Sequence, residues 1–443
     1  MNQHKTRRSV SIVAFFLALI FSTTVQAQVP TQDHIRAFRG QTMGTTFMVK
    51  IFGAEKVSDD IRFEIDAELR NVNDQMSTYL SRSEISRFND SDSTDWFDVS
   101  RETATVVQFA QTVSAKTDGA FDITVGPIVN AWGFGPGERT GKAPDPSILE
   151  EIKHSVGYEK LSVRLDPPSL RKSIGTLKID LSSIAKGHGV DRIVKLLAKA
   201  GAKNVFVEIG GEVRTSGDKL GEPWKVGINI PDKAAVIAHA MGGGSGKDES
   251  MATSGDYRNY FEAGGKRYSH TIDPRTASPI EHHLASVSVV DDSCMASDAW
   301  ATALNVLGPT AAMTLAEKED LNIFLITRTL DGFDMMGTGT LAQYAPTIAA
   351  DVAATAAPVA QSGTGIQPDA GMLPMMMITA TVMAIVLIAM AVGVIFGRKS
   401  ISGSCGGIAN KTNEDGSIAC SLCSNPADAC KELREKIQND GKA

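Results

Sequence analysis

The order of apolar and polar positions predicts alternating strands and helices over most of the chain. Thr46–Phe52 and Leu284–Val290 are short and rich in β-branched residues, which is typical of strands. Apolar residues recur at helical spacing in Ser58–Met76 and Ser100–Thr117, and a polar turn precedes a further predicted helix at Asp298–Leu307. Because these elements follow one another without a regular strand–helix–strand rhythm, we predict an α+β fold with a single mixed domain.

The first apolar segment of the chain lies at its start. Three basic residues precede the apolar run Val10–Phe21, and small residues at positions 25 and 27 provide a cleavage site. This pattern predicts a signal peptide over residues 1–27. An uncleaved N-terminal anchor is the alternative that the pattern leaves open. Either interpretation sends the main body, residues 28–342, out of the cytoplasm.

A second apolar segment, Met372–Phe396, contains no charged residue and is long enough to cross a bilayer. We therefore predict a transmembrane helix over 372–396; a buried core helix is the alternative. Arg398 and Lys399 follow immediately, which places the C-terminus in the cytoplasm by the positive-inside rule. The expected location is the bacterial inner membrane, with the main body in the periplasm and the tail in the cytoplasm.

Composition separates the body from the two segments that follow it. The chain has 443 residues, 42% hydrophobic and 21% charged, with a formal net charge of −7, so no basic surface indicates a nucleic-acid partner. Residues 343–371 are rich in Ala, Pro, Gly, Gln and Thr, which is typical of a flexible linker. The tail, 397–443, is too short to build a stable core without a staple or a metal.

Candidate chemistry lies in four segments that combine Gly, Asp and hydroxyl residues at abrupt turns. Backbone amides at a helix start, with a nearby Lys, can bind a diphosphate. Carboxylate, hydroxyl and carbonyl oxygens are ligands that Mg²⁺ prefers. Tight turns and capped helices are the structural alternatives for each segment alone. The segments are Gln41–Thr46, Gly119–Asp122, Asp180–Gly187, and Ser297–Thr302 with the preceding Tyr268–Pro274.

Taken in this order, and with the runs Gly119–Pro127 and Val207–Glu212, the segments closely resemble the ApbE family of FAD-dependent FMN transferases. The resemblance covers residues 36 to 342. It implies an enzyme that transfers FMN from its substrate FAD to a threonine hydroxyl of an acceptor protein and releases AMP. It also implies Mg²⁺ as the cofactor.

The same resemblance implies roles for individual residues. Mg²⁺ would take the backbone carbonyl of Ser183, the carboxylate of Asp298 and the hydroxyl of Thr302. We expect His270 to act as the catalytic base, with Asp298 catalytic through the metal; a hydrogen bond from His270 to phosphate or flavin is the alternative. The residues implied to bind the flavin nucleotide are Met43, Tyr79, Ala120, Phe121, Asp122, Asp180, Lys186 and Ile272.

One position departs from the pattern of some family members. They carry an acidic residue just before the metal-binding threonine, where this chain has Ala301. We therefore expect one Mg²⁺, with Asp273, Asp291 and Asp292 as candidates to compensate. Outside the site, we expect His188 at the surface or in a cap, and Cys294 as a buried, inert thiol.

The tail carries Cys405, Cys420, Cys423 and Cys430 in the pattern C-x14-C-x2-C-x6-C. In a reducing cytoplasm such cysteines are predicted to bind iron or zinc, and the spacing does not choose between them. With the run Ala391–Lys399, the tail resembles the NqrM family, maturation factors of the Na⁺-translocating NADH:quinone reductase, over residues 373 to 430.

The two resemblances together imply one client. We expect the partners to be FMN-acceptor subunits of that reductase, or of a related electron-transport complex that carries covalent FMN, with the tail assisting metal delivery or assembly. Two other functions stay open at this point. One is hydrolysis of FAD to FMN and AMP at the same site, and the other is a non-enzymatic flavin-binding or assembly scaffold.

Overall fold

A computed structural model describes residues 35–135, 141–231, 236–241, 248–256, 260–263 and 266–345. The predicted signal peptide, the predicted transmembrane helix, the tail cysteines and nearly all of the predicted linker lie outside these residues. Within the described ranges no helix is both long enough and apolar enough to span a membrane.

The strands of the described residues are, in chain order, β1 (Ile35–Thr42), β2 (Thr45–Phe52), β3 (Phe97–Asp98), β4 (Leu161–Leu165), β5 (Pro168–Lys172), β6 (Asn204–Ile209), β7 (Glu212–Ser216), β8 (Trp224–Asn229), β9 (Val236–Met241), β10 (Glu249–Gly255), β11 (Tyr260–Ala263), β12 (Lys266–Ser269), β13 (Ile272–Asp273), β14 (Ser278–Pro279), β15 (Leu284–Asp291), β16 (Asn322–Thr329) and β17 (Gly332–Gly337).

The helices of the same residues are α1 (Ile61–Met76), α2 (Glu84–Asp90), α3 (Arg101–Lys116), α4 (Gly126–Ala131), α5 (Pro146–Lys153), α6 (Ala185–Lys199), α7 (Cys294–Leu307) and α8 (Pro309–Lys318). Short 3-10 turns cover Tyr158–Lys160 and Gly339–Leu341.

Eight strands form the central sheet in the order β1-β2-β6-β7-β10-β15-β16-β17. Every neighbouring pair in it is antiparallel. A three-stranded sheet has the order β3-β5-β4. Three two-stranded sheets pair β8 with β9, β11 with β12 and β13 with β14. An antiparallel sheet that packs its helices against one face is the α+β organisation that the irregular element order predicted.

The two faces of the sheet bury different cores, because successive residues of a strand point to opposite sides. In β16, Ile323 and Leu325 join the core beneath α3 and α7. Phe324 and Ile326 join the core beneath the β8–β9 hairpin, together with Trp224. The helical face of the sheet holds α6 and α7, which carry Lys186, Asp298 and Thr302.

The predicted elements are confirmed, with one shift that matters for the site. β2, β15, α1 and α3 lie where apolar spacing placed them, and Ser100 caps α3. The helix predicted at Asp298–Leu307 begins earlier, at Cys294, because Ser293 is its N-cap and accepts a hydrogen bond from the Ala296 N–H at 3.4 Å. Asp298 therefore lies in the second turn of α7, inside the fold.

Candidate active site

A cavity of about 610 Å³ opens between the helical layer and the strands β7, β8 and β10. All of the predicted body site residues except Met43 line it: Tyr79, Ala120, Phe121, Asp122, Asp180, Ser183, Lys186, His270, Ile272, Asp298 and Thr302. Residues from segments far apart in the chain therefore face one space.

The start of α6 is shaped by an Asp180 turn. The Ser182 N–H donates to Asp180 Oδ1 at 2.8 Å, which is the side-chain turn that Asp commonly forms. The Asp180 N–H donates to the carbonyl of Ile123 at 2.7 Å, so this segment is tied to the Gly119–Asp122 segment. Lys186 follows in the first turn of α6 and faces the cavity.

The Gly119–Asp122 segment is nearly solvent-free at Ala120 and Phe121. Asp122 accepts hydrogen bonds from the Thr124 N–H at 2.8 Å and the Thr124 hydroxyl at 2.7 Å. Burial raises the pKa of the Asp122 carboxyl, while the Thr124 bonds oppose that rise. Its carboxyl group therefore organises the turn that leads into α4 as well as lining the cavity.

Three polar residues of α7 face the cavity in a row. Asp298, Thr302 and Asn305 follow at helical spacing, so their side chains lie on one side of the helix. The hydroxyls of Thr302 and Ser254 lie 3.2 Å apart, and Asn305 Nδ2 donates to the Thr271 hydroxyl at 3.4 Å. The carbonyl oxygen of the Asn305 side chain is buried without a hydrogen-bond partner among the described residues.

Asp191 of α6 holds the first turn of α7. Its carboxylate accepts hydrogen bonds from the N–H groups of Cys294 and Met295, both at 3.0 Å, and from the Ser293 hydroxyl at 2.8 Å. Arg214 pairs with the same carboxylate at 2.6 Å. A negative charge at a helix N-terminus stabilises the helix. Because Asp191 belongs to α6, these hydrogen bonds also fix the position of α7 relative to α6.

A buried charge cluster lies between the two helices. Lys186 Nζ is 3.1 Å from Glu212 Oε1 and 3.4 Å from each carboxylate oxygen of Asp298. Burial works against the charge of Lys186, but the two carboxyl groups raise the pKa of its ammonium above the ordinary value. Burial raises the pKa of the Glu212 carboxyl above its ordinary value, the Lys186 ammonium opposes that rise, and the nearby Asp298 adds to it.

His270 follows β12 and is half-buried beside an aromatic group. The rings of His270 and Phe134 meet edge to face at 6.3 Å, and Phe134 lies 5.4 Å from Phe261. Phe261 stacks on Tyr268 at 5.1 Å. Phe134, Phe261 and Tyr268 therefore form an aromatic cluster beside His270, which directly follows the β11–β12 hairpin.

The remaining predicted flavin contacts differ in exposure. Ile272 is buried in the cavity wall, whereas Tyr79 is 71% exposed at its mouth. Met43 has a positive φ of 50° and packs toward α6, where a Cβ on Gly189 would lie 2.9 Å from Met43 Cε. It is absent from the described cavity lining.

The oxygen donors at one end of the cavity fit a hard divalent cation. Asp298 is 2% exposed and lines the cavity with Thr302 and Ser183, and the Lys186 ammonium already stands beside it as a cation. Ala301 is fully buried in the core and adds no donor.

The three compensating aspartates do not line the described cavity wall. Asp273 pairs with Arg275 at 2.8 Å, and Asp291 accepts from the Ser293 N–H at 2.9 Å. The additional carboxyl group beside Asp298 and Lys186 is that of Glu212, to which the sequence interpretation assigned no role.

A comparison with known proteins decides the family. The model of the ApbE family matches residues 43–325, well over half of the chain. The chain belongs to the ApbE family.

Curated relatives and solved structures agree with this assignment. An FAD:protein FMN transferase of Vibrio cholerae is 44% identical over 299 residues, which cover 66% of this chain and 88% of the relative. One of Haemophilus influenzae is 42% identical over 316 residues, which cover 68% and 89%. The structure of the flavin transferase ApbE from Vibrio cholerae matches with a TM-score of 0.64 at 40% identity, over 69% of this chain and 97% of that one.

A second family model, described as (Na⁺)-NQR maturation NqrM, matches residues 394–440. This match includes all four tail cysteines of the ApbE-family chain and lies outside the described residues.

Two further residues of the ApbE domain can be compared with expectation. His188 was expected at the surface or in a helix cap, which is wrong: it is buried inside α6, whose N-cap is Ile184, and burial, followed by the nearby Arg192, lowers its pKa to about 4. The predicted burial of Cys294 is confirmed, since the side chain is fully buried, and burial raises the pKa of its thiol. Glu212, Ser254 and Asn305 are cavity residues that the sequence interpretation missed. The one sequence signal for Glu212 was its position directly after Gly210 and Gly211 in the run Val207–Glu212.

Proposed function

We propose that this ApbE-family chain transfers FMN from FAD to a threonine hydroxyl of an acceptor protein and releases AMP. The observation that carries the proposal is the convergence of Lys186, His270, Asp298 and Thr302 on one cavity. The relatives named FAD:protein FMN transferase support it, because this chain covers most of their length.

The reaction exchanges one phosphorus–oxygen bond for another. The acceptor hydroxyl oxygen bonds to the FMN phosphorus of FAD, and the bond from that phosphorus to the bridging oxygen of the diphosphate breaks. AMP leaves with the bonding electrons, and the hydroxyl proton passes to the His270 ring. General base catalysis of this kind contributes on the order of 10²–10⁴-fold.

The other cavity residues either neutralise charge on the diphosphate or position the flavin. The Lys186 ammonium lies where it can offset negative charge on the diphosphate. Ser183, Asp298 and Thr302 would hold Mg²⁺, which when bound supplies charge neutralisation on the diphosphate. Tyr79 offers an exposed aromatic face at the cavity mouth for the flavin, and Ile272 offers an apolar wall.

The cellular setting of the proposal rests on the sequence. The signal peptide at 1–27 and the transmembrane helix at 372–396 put the transferase domain in the periplasm, anchored to the inner membrane. The NqrM match supports the Na⁺-translocating NADH:quinone reductase as the client. The tail then assists assembly or metal delivery, with iron or zinc at Cys405, Cys420, Cys423 and Cys430.

The decisive measurement is the mass of a purified acceptor subunit after incubation with the full-length protein, FAD and Mg²⁺. We expect a gain of one FMN on a threonine, lost in Asp298→Ala and retained in Asp292→Ala, a matched aspartate outside the cavity. Free FMN and AMP with an unmodified acceptor would favour hydrolysis. No turnover of FAD would contradict both enzymatic functions and favour a scaffold.

The tail is tested separately by metal analysis of the full-length protein purified under reducing conditions. We expect about one bound iron or zinc site, lost when Cys420 and Cys423 are replaced by Ser. Replacement of Cys294, which is buried in the body, by Ser is the matched control and leaves the metal content unchanged. A metal-free wild-type tail would contradict the proposed delivery role.

A further inference from the structure

We propose that the Lys186 ammonium competes with the divalent cation for Asp298, and that Glu212 receives this ammonium when the cation binds. The inference rests on the proposed cation site at Asp298. It assigns Glu212 as a positioning residue for Lys186.

The first observation is that one ammonium is shared by two buried carboxyl groups. Lys186 Nζ lies 3.1 Å from Glu212 Oε1 and 3.4 Å from both Asp298 oxygens. Asp298 is 2% exposed and Glu212 is 5% exposed. Because a buried carboxylate without a cationic partner is strongly destabilising, the ammonium is the group that makes this arrangement tolerable without a metal.

The second observation is that Glu212 has unused bonding capacity. Its Oε2 is buried and has no hydrogen-bond partner among the described residues, although the side chain lines the cavity. Asp298 differs, because its Oδ2 also accepts the Gly187 N–H at 3.0 Å. Glu212 can therefore hold the ammonium with both oxygens, whereas Asp298 is already committed to the backbone of α6.

These two observations predict what happens when a cation reaches Asp298. Asp298 gains a new positive partner and releases the ammonium, and the ammonium keeps Glu212 as its buried anionic partner. Neither charge of the Lys186–Glu212 pair is left alone, so the exchange avoids the main cost of breaking a buried ion pair.

The exchange also changes the charge that the cavity presents to FAD. Without a cation, the Lys186 ammonium faces the carboxyl groups of Asp298 and Glu212, and Asp122, Asp180 and Glu208 add further carboxyl groups to the cavity wall, so the site has no excess positive charge for a diphosphate. A bound divalent cation adds two positive charges beside Asp298, so the cavity repels a diphosphate less. Cation binding should therefore strengthen FAD binding, and FAD should strengthen cation binding to the same degree.

Calorimetric titration of Mn²⁺ into the full-length protein without FAD tests the proposal. Lys186→Met removes the competitor, so we expect cation binding to tighten by about tenfold. Lys186→Arg retains the charge and should bind near the wild-type affinity. Lys195→Met, an exposed lysine of the same helix, is the matched control. Equal or weaker binding by Lys186→Met would overturn the competition.

Glu212 is tested by a double-mutant cycle with Lys186→Met, and Glu212→Gln by itself still tests the proposal if Lys186→Met folds poorly without metal. Glu212→Gln leaves the ammonium with Asp298 alone, so we expect weaker Mn²⁺ binding. The loss should be several-fold smaller in the Lys186→Met background, because Glu212 acts through Lys186. Equal losses in both backgrounds would overturn the positioning role. No Mn²⁺ binding by the wild type would instead contradict the proposed cation site itself.

Discussion

The backbone N–H of Gly187 donates a 3.0 Å hydrogen bond to Oδ2 of Asp298, which joins the first turn of α6 to the second turn of α7. The contact requires glycine, because a Cβ at position 187 would lie 2.2 Å from the Cys294 carbonyl oxygen. The two helices that carry the charge cluster are thus as close as their backbones permit.

Gly187→Ala should therefore push α6 and α7 apart. We expect a loss of about 1–3 kcal/mol in the free energy of unfolding, measured by urea denaturation, and a marked loss of FMN transfer. Gly189→Ala is the matched control on the same helix, because its Cβ meets the flexible end of Met43 at 2.9 Å. Equal destabilisation by both changes would contradict the close-approach argument.

Ser254 should act on the cation through Thr302. Its hydroxyl lies 3.2 Å from the Thr302 hydroxyl, and removing a partner that orients a metal ligand typically costs 10–100-fold in metal affinity. We expect Ser254→Ala to weaken Mg²⁺ binding by roughly tenfold and Thr302→Val to weaken it more. Thr302→Ser, which keeps the hydroxyl, should retain most of the affinity. An unchanged affinity in Ser254→Ala would remove this residue from the site.

His270 can be tested for the base role against the binding role. If the ring takes the acceptor proton, His270→Gln should lower kcat for FMN transfer by about 10²–10⁴-fold and leave the dissociation constant for FAD almost unchanged. Phe134→Leu, which removes the ring packed against His270, should give a smaller loss of kcat. A parallel loss of FAD affinity in His270→Gln would favour the alternative, in which His270 binds phosphate or flavin.

His188 should make stability depend on pH. Burial lowers its pKa from 6.5 to about 4, so the folded state binds fewer protons than the unfolded state between these values. The stability contributed by the neutral ring is thus complete above about pH 6.5 and lost as pH falls toward 4, by about 3 kcal/mol at most.

The measurement is urea unfolding of the wild type and of His188→Gln between pH 7.5 and 4. Burial raises the pKa of Asp122 and Asp291, which gives a pH dependence of stability of the opposite sign. Since both proteins contain these aspartates, the difference between their stabilities isolates the contribution of His188. The wild type should lose more stability than the variant as pH falls. Parallel curves would show that His188 does not titrate in this range.

The sequence alone was sufficient to predict the elements whose signals are local. The spacing in Ser100–Thr117 corresponds to α3 with Ser100 as its cap, and the β-branched run at Thr46–Phe52 corresponds to β2. The body residues that were assigned a role also meet in the cavity, except Met43, whereas Glu212, Ser254 and Asn305 were not predicted. Such predictions succeed because periodicity, capping and turn chemistry act over a few neighbouring residues.

Only the tertiary structure decided which groups touch. The start of α7 depends on Ser293 and on Asp191, which lies about a hundred positions earlier in the chain. The burial of His188 and the pairing of Lys186 with Glu212 follow from the close packing of α6 on α7 and β7. No local pattern records these contacts, because side-chain partners, burial and electrostatic environment arise when distant segments pack together.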